Sequence, residues 1–277
     1  MENNCPTNPQ EEDSDQAQDK YFDGSLDGCQ DQIIMTYPTK PIIYSTEDKM
    51  KQIEDEFNGF INQDDLANIS QRNTYFNVVS REFTCELGKE FEAVMQVFLY
   101  IKKKYNVFNQ PGGKFYDIGS GTGKGVLTGC LMHEFDKCVG IELLENLHKA
   151  SQQMKEVYET EFKSKYSNDR GELRQIFNYE KVPEFETHQG DILEYDWSDA
   201  DFVIANSTCF EMTFMNKISQ KASSLKVGSW MITLTKKLPS SDPLMTLEDR
   251  IDWECLLSIK RIMSWGYATV HIHRKIK

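Results

Sequence analysis

Nine residues near the middle of the chain, Asp117-Ile118-Gly119-Ser120-Gly121-Thr122-Gly123-Lys124-Gly125, carry the first chemical signal. Glycines at this density let the backbone turn tightly and approach a ligand more closely than a Cβ would allow. They follow an apolar run, Lys114–Ile118, and precede a helical pattern from about Lys124 to Phe135, so the loop stands where a strand hands over to a helix. The acid directly ahead of the glycines discriminates between ligands, because a carboxylate attracts an ammonium group and repels a pyrophosphate. About 20 residues past the loop, Glu142 ends a second apolar run in the place of an acid that grips ribose hydroxyls. Gly190-Asp191-Ile192 follows a third run, Phe185–His188. A carboxylate there can accept a hydrogen bond from an adenine amino group while the isoleucine packs on the ring. Each signal has a plainer reading: a glycine-rich turn, a solvated charge at a strand end, an ordinary Gly-Asp turn.

Taken together, a site for a cation, a ribose and an adenine points to S-adenosylmethionine (SAM) rather than NAD. Other chemistries lack their residues. No G-x-x-x-x-G-K-[ST] phosphate loop and no G-x-S-x-G nucleophile elbow occurs. The five histidines, His133, His148, His188, His271 and His273, show no metal-ligand spacing, and His271 and His273 are expected as exposed or sheet-face residues. The seven cysteines, Cys5, Cys29, Cys85, Cys130, Cys138, Cys209 and Cys255, never form C-x-x-C, which argues against a disulfide framework or a zinc site. No metal is expected, and a reducing nucleus or cytoplasm is the expected compartment.

The elements that must position these residues follow from periodicity. Phe91, Val94, Met95, Phe98 and Leu99 recur on one helical face, with Lys102–Lys104 at the helix end, where cations suit the dipole. A helix through Phe60 can start at Ser45-Thr46-Glu47, after an extended piece at Ile42-Ile43-Tyr44. From Lys114 the chain alternates strand and helix: strands at Lys114–Ile118, Cys138–Leu143, Phe185–His188, Ala200–Ala205 and Ser229–Thr235, with helices at about 124–135, 145–165 and 211–225. Such alternation implies a doubly wound parallel sheet. Cys255–Met263 and Tyr267–Lys275, joined by Ser264-Trp265-Gly266, read as an antiparallel terminal hairpin. The fold expected is therefore α/β, a seven-stranded class I methyltransferase sheet with a helical N-terminal extension.

With 277 residues and 39 % hydrophobic content the chain can build a sizeable core, and no apolar stretch reaches the length of a membrane span. The net charge of −13 is unevenly spread: Met1–Gln32 carries nine acids against one base, whereas Glu211–Lys277 carries eleven bases against six acids. Residues 1–32 are expected as a disordered acidic tail, 33–105 as a helical region, and 106–277 as the SAM-binding domain. An acidic chain is not expected to bind duplex DNA strongly.

The strand-four end, Ala205-Asn206-Ser207-Thr208-Cys209-Phe210, lacks the N-P-P-Y or D-P-P-Y pattern that grips an exocyclic base amine. Instead it is similar to the N-N-x-x-F of the non-SET, disruptor-of-telomeric-silencing type of histone-lysine methyltransferase. The resemblance runs from about Thr74 to Pro239 and includes the loop at 117–125, V-G-I-E ending at Glu142, and G-D-I at 190–192. Phe83-Thr84-Cys85-Glu86-Leu87 resembles that family's Y-G-E loop, which folds over the cofactor. The resemblance implies a protein-lysine methyltransferase acting on a histone or another basic protein. The cofactor-binding set is then Glu86, Asp117, Gly119, Ser120, Gly121, Thr122, Gly123, Lys124, Glu142, Asp191 and Ile192, and Asn206 and Phe210 form the acceptor side. Aromatics such as Phe214, Tyr75 and Phe76 are candidates for a dehydrated lysine channel. The chain departs from the family at Thr84-Cys85 for Tyr-Gly, at Lys124 for glutamine and at Ser207 for the second asparagine, and a basic nucleosome-binding extension is not apparent. Two rival readings remain open at this point: a class I methyltransferase for a small molecule or nucleic acid, and a SAM-binding partner subunit without catalysis.

Overall fold

A computed structural model describes residues 46–80, 89–169, 171–241 and 252–277, all within one compact unit, Tyr44–Lys277. The acidic tail, the extended piece at 42–44, and Glu86 with its loop lie outside the described residues.

Three helices come first: α1 (Thr46–Gly59), α2 (Gln63–Ser80) and α3 (Lys89–Tyr105). Periodicity anticipates α1 and α3 but not α2, whose apolar residues are sparse. The start of α2 is set by a reciprocal cap. The Asp65 N–H donates to Asn62 Oδ1 at 2.8 Å, and the Asn62 N–H donates to Asp65 Oδ2 at 2.7 Å.

The sheet follows. Strands β1 (Lys114–Ile118), β2 (Lys137–Glu142), β3 (Glu184–Gln189), β4 (Phe202–Ala205) and β5 (Trp230–Leu234) pair in parallel. Inner strands covered on both faces are buried almost throughout, whereas the edge strand β3 buries only Phe185 among exposed and half-buried residues. Helices α4 (Lys124–Met132), α5 (Glu145–Val157) and α8 (Met212–Ala222) are the crossovers. The second crossover is longer than expected. A π-helical turn at Tyr158–Lys163 and the short α6 (Ser164–Asn168) carry it on, and α7 (Glu172–Phe177) follows. Finally β6 (Trp253–Met263) and β7 (Gly266–Lys275) form the antiparallel hairpin, and β7 inserts between β5 and β6. The strand order is β3-β2-β1-β4-β5-β7-β6. No helix among the described residues is long and apolar enough to cross a membrane.

Alternation along the strands divides the core between the two faces. Phe115, Phe202 and Ile204 join the aromatic-rich cluster beneath α2, α3 and α4, while Tyr116, Ile118, Val203 and Ala205 join the cluster with Met215 and Ile218 of α8. Tyr75 and Phe76 belong to the first cluster. Tyr75 packs edge-on against Phe162 and Phe177, and Phe76 stacks on Phe91 at 5.1 Å. Their α2 faces the core, so they build the helical layer rather than a lysine channel. His271 and His273 are both buried, His273 completely. They lie on the sheet face as expected but are not exposed, because β7 is an interior strand. His273 Nε2 accepts the Leu238 N–H at 3.2 Å, and burial pushes the imidazole down to about 3, so it is a neutral structural acceptor at physiological pH.

Candidate active site

The chain winds outward from β1 through β2 to β3, then returns to place β4 on the other side of β1. This reversal opens a crevice at the carboxyl ends of β1 and β4, the place where open α/β sheets bind ligands. A cavity of about 310 Å³ lies there, lined by Asp117, Gly119, Ser120, Gly121, Thr122 and Lys124 after β1, and by Ile204 and Asn206 at the end of β4. The loop is anchored to β2: the N–H groups of Gly119 and Ser120 both donate to the Ile141 carbonyl, at 2.9 and 3.0 Å. Gly119 sits at φ +77°, and a Cβ on it would stand 3.2 Å from Phe210 Cζ. Phe210 therefore reaches across to the loop, stacked edge-on against Phe214 at 5.1 Å, although it does not line the cavity itself.

Asp117 is the electrostatic centre. Its register partners are Gly140 on β2 and Ile204 on β4, which bring it no opposite charge. Among the described residues its carboxyl group has no hydrogen-bond or ion-pair partner. Burial, followed by repulsion from Glu142 and Glu90, pushes it up to about 7. A carboxyl group held in this way beside two other acids calls for a cation. Gly125 makes room for it. A Cβ there would stand 2.7 Å from Asp117 Cγ and closer still to Oδ2. We expect Gly125→Ala to cost about 1–3 kcal/mol of stability and to weaken cofactor binding, even though alanine is the better helix former. Thermal melts and titration calorimetry check this; a stabilised variant with unchanged binding would contradict the close approach.

Glu142 borders the loop rather than lining the cavity. Its Oε2 accepts the Gly121 N–H at 2.7 Å and its Oε1 the Leu144 N–H at 2.8 Å. A carboxylate has about four acceptor positions, so two remain for hydroxyl groups. Asp191 lies past β3, where its Oδ1 accepts the Leu193 N–H at 2.8 Å. The Ile192 side chain is buried in the α8-side core, and its carbonyl accepts the Trp197 indole N–H at 2.8 Å. Neither residue lines the cavity, and nor does Gly123.

Four residues at the cavity escape a reading of motifs. Glu90, at the start of α3, lines it and accepts a hydrogen bond from the Ser264 hydroxyl. Ser264 and Trp265 form the turn of the terminal hairpin and line the cavity with Met263. Strand β6 runs in the same direction as β5 but is eleven residues long, so its turn overhangs the carboxyl edge of the sheet. Trp265 remains 46 % exposed there, an indole at the rim of the cavity.

Asn206 is exposed, and its Oδ1 accepts the Thr208 hydroxyl at 2.9 Å. It precedes the 3₁₀ turn Ser207–Cys209 without capping it through its side chain, and Glu211 occupies the cap position of α8. The amide is thus not consumed by a helix end. No group of three His, Cys, Asp or Glu suited to a metal ion occurs among the described residues.

The strand order with its inserted antiparallel β7, and a glycine loop led by an unpaired acid at the switch point, define a class I SAM-dependent methyltransferase. The residues fit that cofactor: the acid pole of Asp117 and Glu90 suits its cationic end, and the free acceptor positions of Glu142 suit its ribose. Residues 91–271 match the family described as "Histone methylation protein DOT1", and the chain belongs to that family. It is a SAM-dependent protein-lysine methyltransferase of the histone type. No curated protein matches the sequence. Solved structures similar to the chain include an RNA methyltransferase from Salinibacter ruber in complex with S-adenosyl-L-homocysteine, at 19 % identity and TM-score 0.40, covering 60 % of this chain and 82 % of that one. Another is the tRNA methyltransferase TrmK of B. subtilis, at 15 % identity and TM-score 0.42, covering 69 % and 68 %.

Proposed function

We propose that this protein methylates a lysine of a nuclear histone, with Asp117, Glu142 and Asp191 holding SAM and with Asn206, Phe210 and Trp265 forming the acceptor side. One observation carries the reading: the unpaired buried acid Asp117 and the amide of Asn206, which caps no helix, line the same cavity at the ends of adjacent strands. SAM supplies a methyl group already activated on a sulfonium, so the protein's work is alignment and exclusion of water. Asp117, ionised, receives the amino-acid ammonium group. Glu142 accepts ribose hydroxyls and Asp191 the adenine amine, while Ser120, Gly121, Thr122, Gly123 and Lys124 shape the loop around them. The family resemblance would add Glu86, which lies outside the described residues, to the cofactor contacts.

On the acceptor side the lysine amine must be neutral. Apolar walls disfavour its charged form and lower its pKa, and Phe210, Trp265 and Met263 supply such walls. Asn206 offers an amide oxygen to an amine N–H but cannot take a proton, so it orients the nucleophile without protonating or deprotonating it. Residues 106–277 carry this chemistry, 33–105 contribute the helical layer and the cofactor cover, and the acidic segment 1–32 suits a basic acceptor. With a net charge of −13 the chain reaches its acceptor without strong contacts to duplex DNA.

The test is transfer from radiolabelled SAM to core histones, whole nucleosomes, total protein extract and RNA. Label is expected in histones and, after acid hydrolysis, in methyl-lysine. Label confined to RNA would overturn the acceptor assignment, and absence of transfer to every acceptor would favour a non-catalytic SAM-binding subunit.

A further inference from the structure

Immediately after β5, Thr235 has φ +72°, a left-handed conformation that a β-branched residue rarely adopts. The Lys236 N–H donates to the Leu234 carbonyl at 2.9 Å, closing a γ-turn around it. Strained backbone of this kind persists only where its surroundings over-determine it. Here they do. The Thr235 N–H donates to the Thr269 carbonyl of β7 at 2.7 Å, and the Ser207 hydroxyl donates to the Leu234 carbonyl at 2.6 Å. The Lys236 ammonium reaches back to the carbonyls of Thr208, at 3.3 Å, and Phe210. Finally, the Thr235 and Thr208 hydroxyls stand 3.0 Å apart. Thr208 donates its one hydroxyl proton to Asn206 Oδ1, so Thr235 is the donor to Thr208.

Every one of these side-chain contacts ends on the segment Asn206–Phe210. We infer that the strained turn at Thr235 and Lys236 is a clamp that positions the acceptor side, and that Thr235 and Thr208 are positioning residues which orient the Asn206 amide through a two-hydroxyl relay. The relay holds the amide oxygen by one lone pair and leaves the other for the acceptor amine. It also explains why the turn is not glycine: glycine would take the same φ without strain but would supply no hydroxyl group. This inference rests on the acceptor-side role proposed for Asn206.

The test compares Thr208→Val, Thr235→Gly and Thr235→Ser with wild type, each alone and in an Asn206→Ala background. Turnover, the Michaelis constant for a histone acceptor, SAM affinity and thermal midpoint are measured. Thr208→Val and Thr235→Gly are expected to lower kcat about tenfold, the scale of one lost hydrogen bond to a reacting group, with SAM affinity within about twofold. Thr235→Gly should raise the thermal midpoint while it lowers kcat, and Thr235→Ser should restore kcat. In the Asn206→Ala background neither substitution should lower kcat further. An equal loss in that background, or an unchanged kcat in the wild-type background, overturns the relay. If Asn206→Ala itself leaves kcat unchanged, the acceptor-side reading fails instead, and with it the purpose assigned to the clamp.

Discussion

Asparagine in place of Asp117 is expected to make the ligand-free protein more stable near pH 8 and, at the same time, to weaken SAM binding by about 10- to 100-fold. Both effects come from one buried charge. Burial and the neighbouring acids Glu142 and Glu90 raise the folded-state pKa of Asp117 to about 7, above its ordinary value of 3.8. A carboxyl group raised on folding contributes stability that is complete below the unfolded value and is lost as pH rises through the folded one. The free enzyme should therefore lose stability between about pH 4 and pH 7, and a cation bound at Asp117 should return it. Asparagine, which carries no charge, removes the penalty and the attraction together.

Affinity should follow the same titration. Below about pH 7 Asp117 must give up its proton before it can receive an ammonium group, so wild-type affinity should fall toward about tenfold per pH unit. Above about pH 8 the ligand's own α-amino group loses its charge, and affinity falls again. Calorimetry of wild type and Asp117→Asn from pH 5.5 to pH 9 checks this. A wild-type profile that is flat between pH 5.5 and pH 7, or an Asp117→Asn variant of full affinity, would remove Asp117 from the ammonium site.

The second large effect concerns chemistry rather than binding. Asn206→Ala should lower kcat by about 10- to 100-fold and leave SAM affinity nearly unchanged, the pattern of an interaction made mainly in the transition state. Asn206→Asp is the sharper variant. A carboxylate at this place stabilises the protonated lysine, raises its pKa and slows transfer near neutrality, with partial recovery at higher pH. A capping residue would behave otherwise, because aspartate caps as well as asparagine. The Asn206 side chain makes no capping bond at the 3₁₀ turn, and its Oδ1 accepts the Thr208 hydroxyl instead, which already speaks against that role. Full activity of Asn206→Asp across the pH range would detach Asn206 from the acceptor.

Much of the fold is legible in short stretches of chain. Runs such as Phe202–Ala205, apolar throughout, and Trp230–Leu234, apolar at every position but Thr233, are buried because both faces of the sheet are covered, and so they announce buried parallel strands. The glycine loop follows β1, Glu142 closes β2 and Asp191 stands two residues past β3, and the carboxyl edge of a doubly wound sheet is the side on which ligands bind. Helix α2 is less legible, since its reciprocal Asn62–Asp65 cap is visible only as two polar residues three apart.

The amino-acid sequence by itself thus determined the class of fold and the strand ends at which the glycine loop and Asn206 stand, because periodicity, glycine spacing and acid placement are properties of contiguous residues. Tertiary structure alone decided which distant side chains share the cavity. Glu90 and Trp265 meet there across some 175 positions because β7 inserts between β5 and β6 and carries the hairpin turn to the carboxyl edge. The same packing sends Tyr75 and Phe76 into the core and buries His273, and it forces Thr235 into a conformation that no propensity favours. Strand order and register set these encounters, and both are settled by the burial of whole faces, which no local pattern encodes.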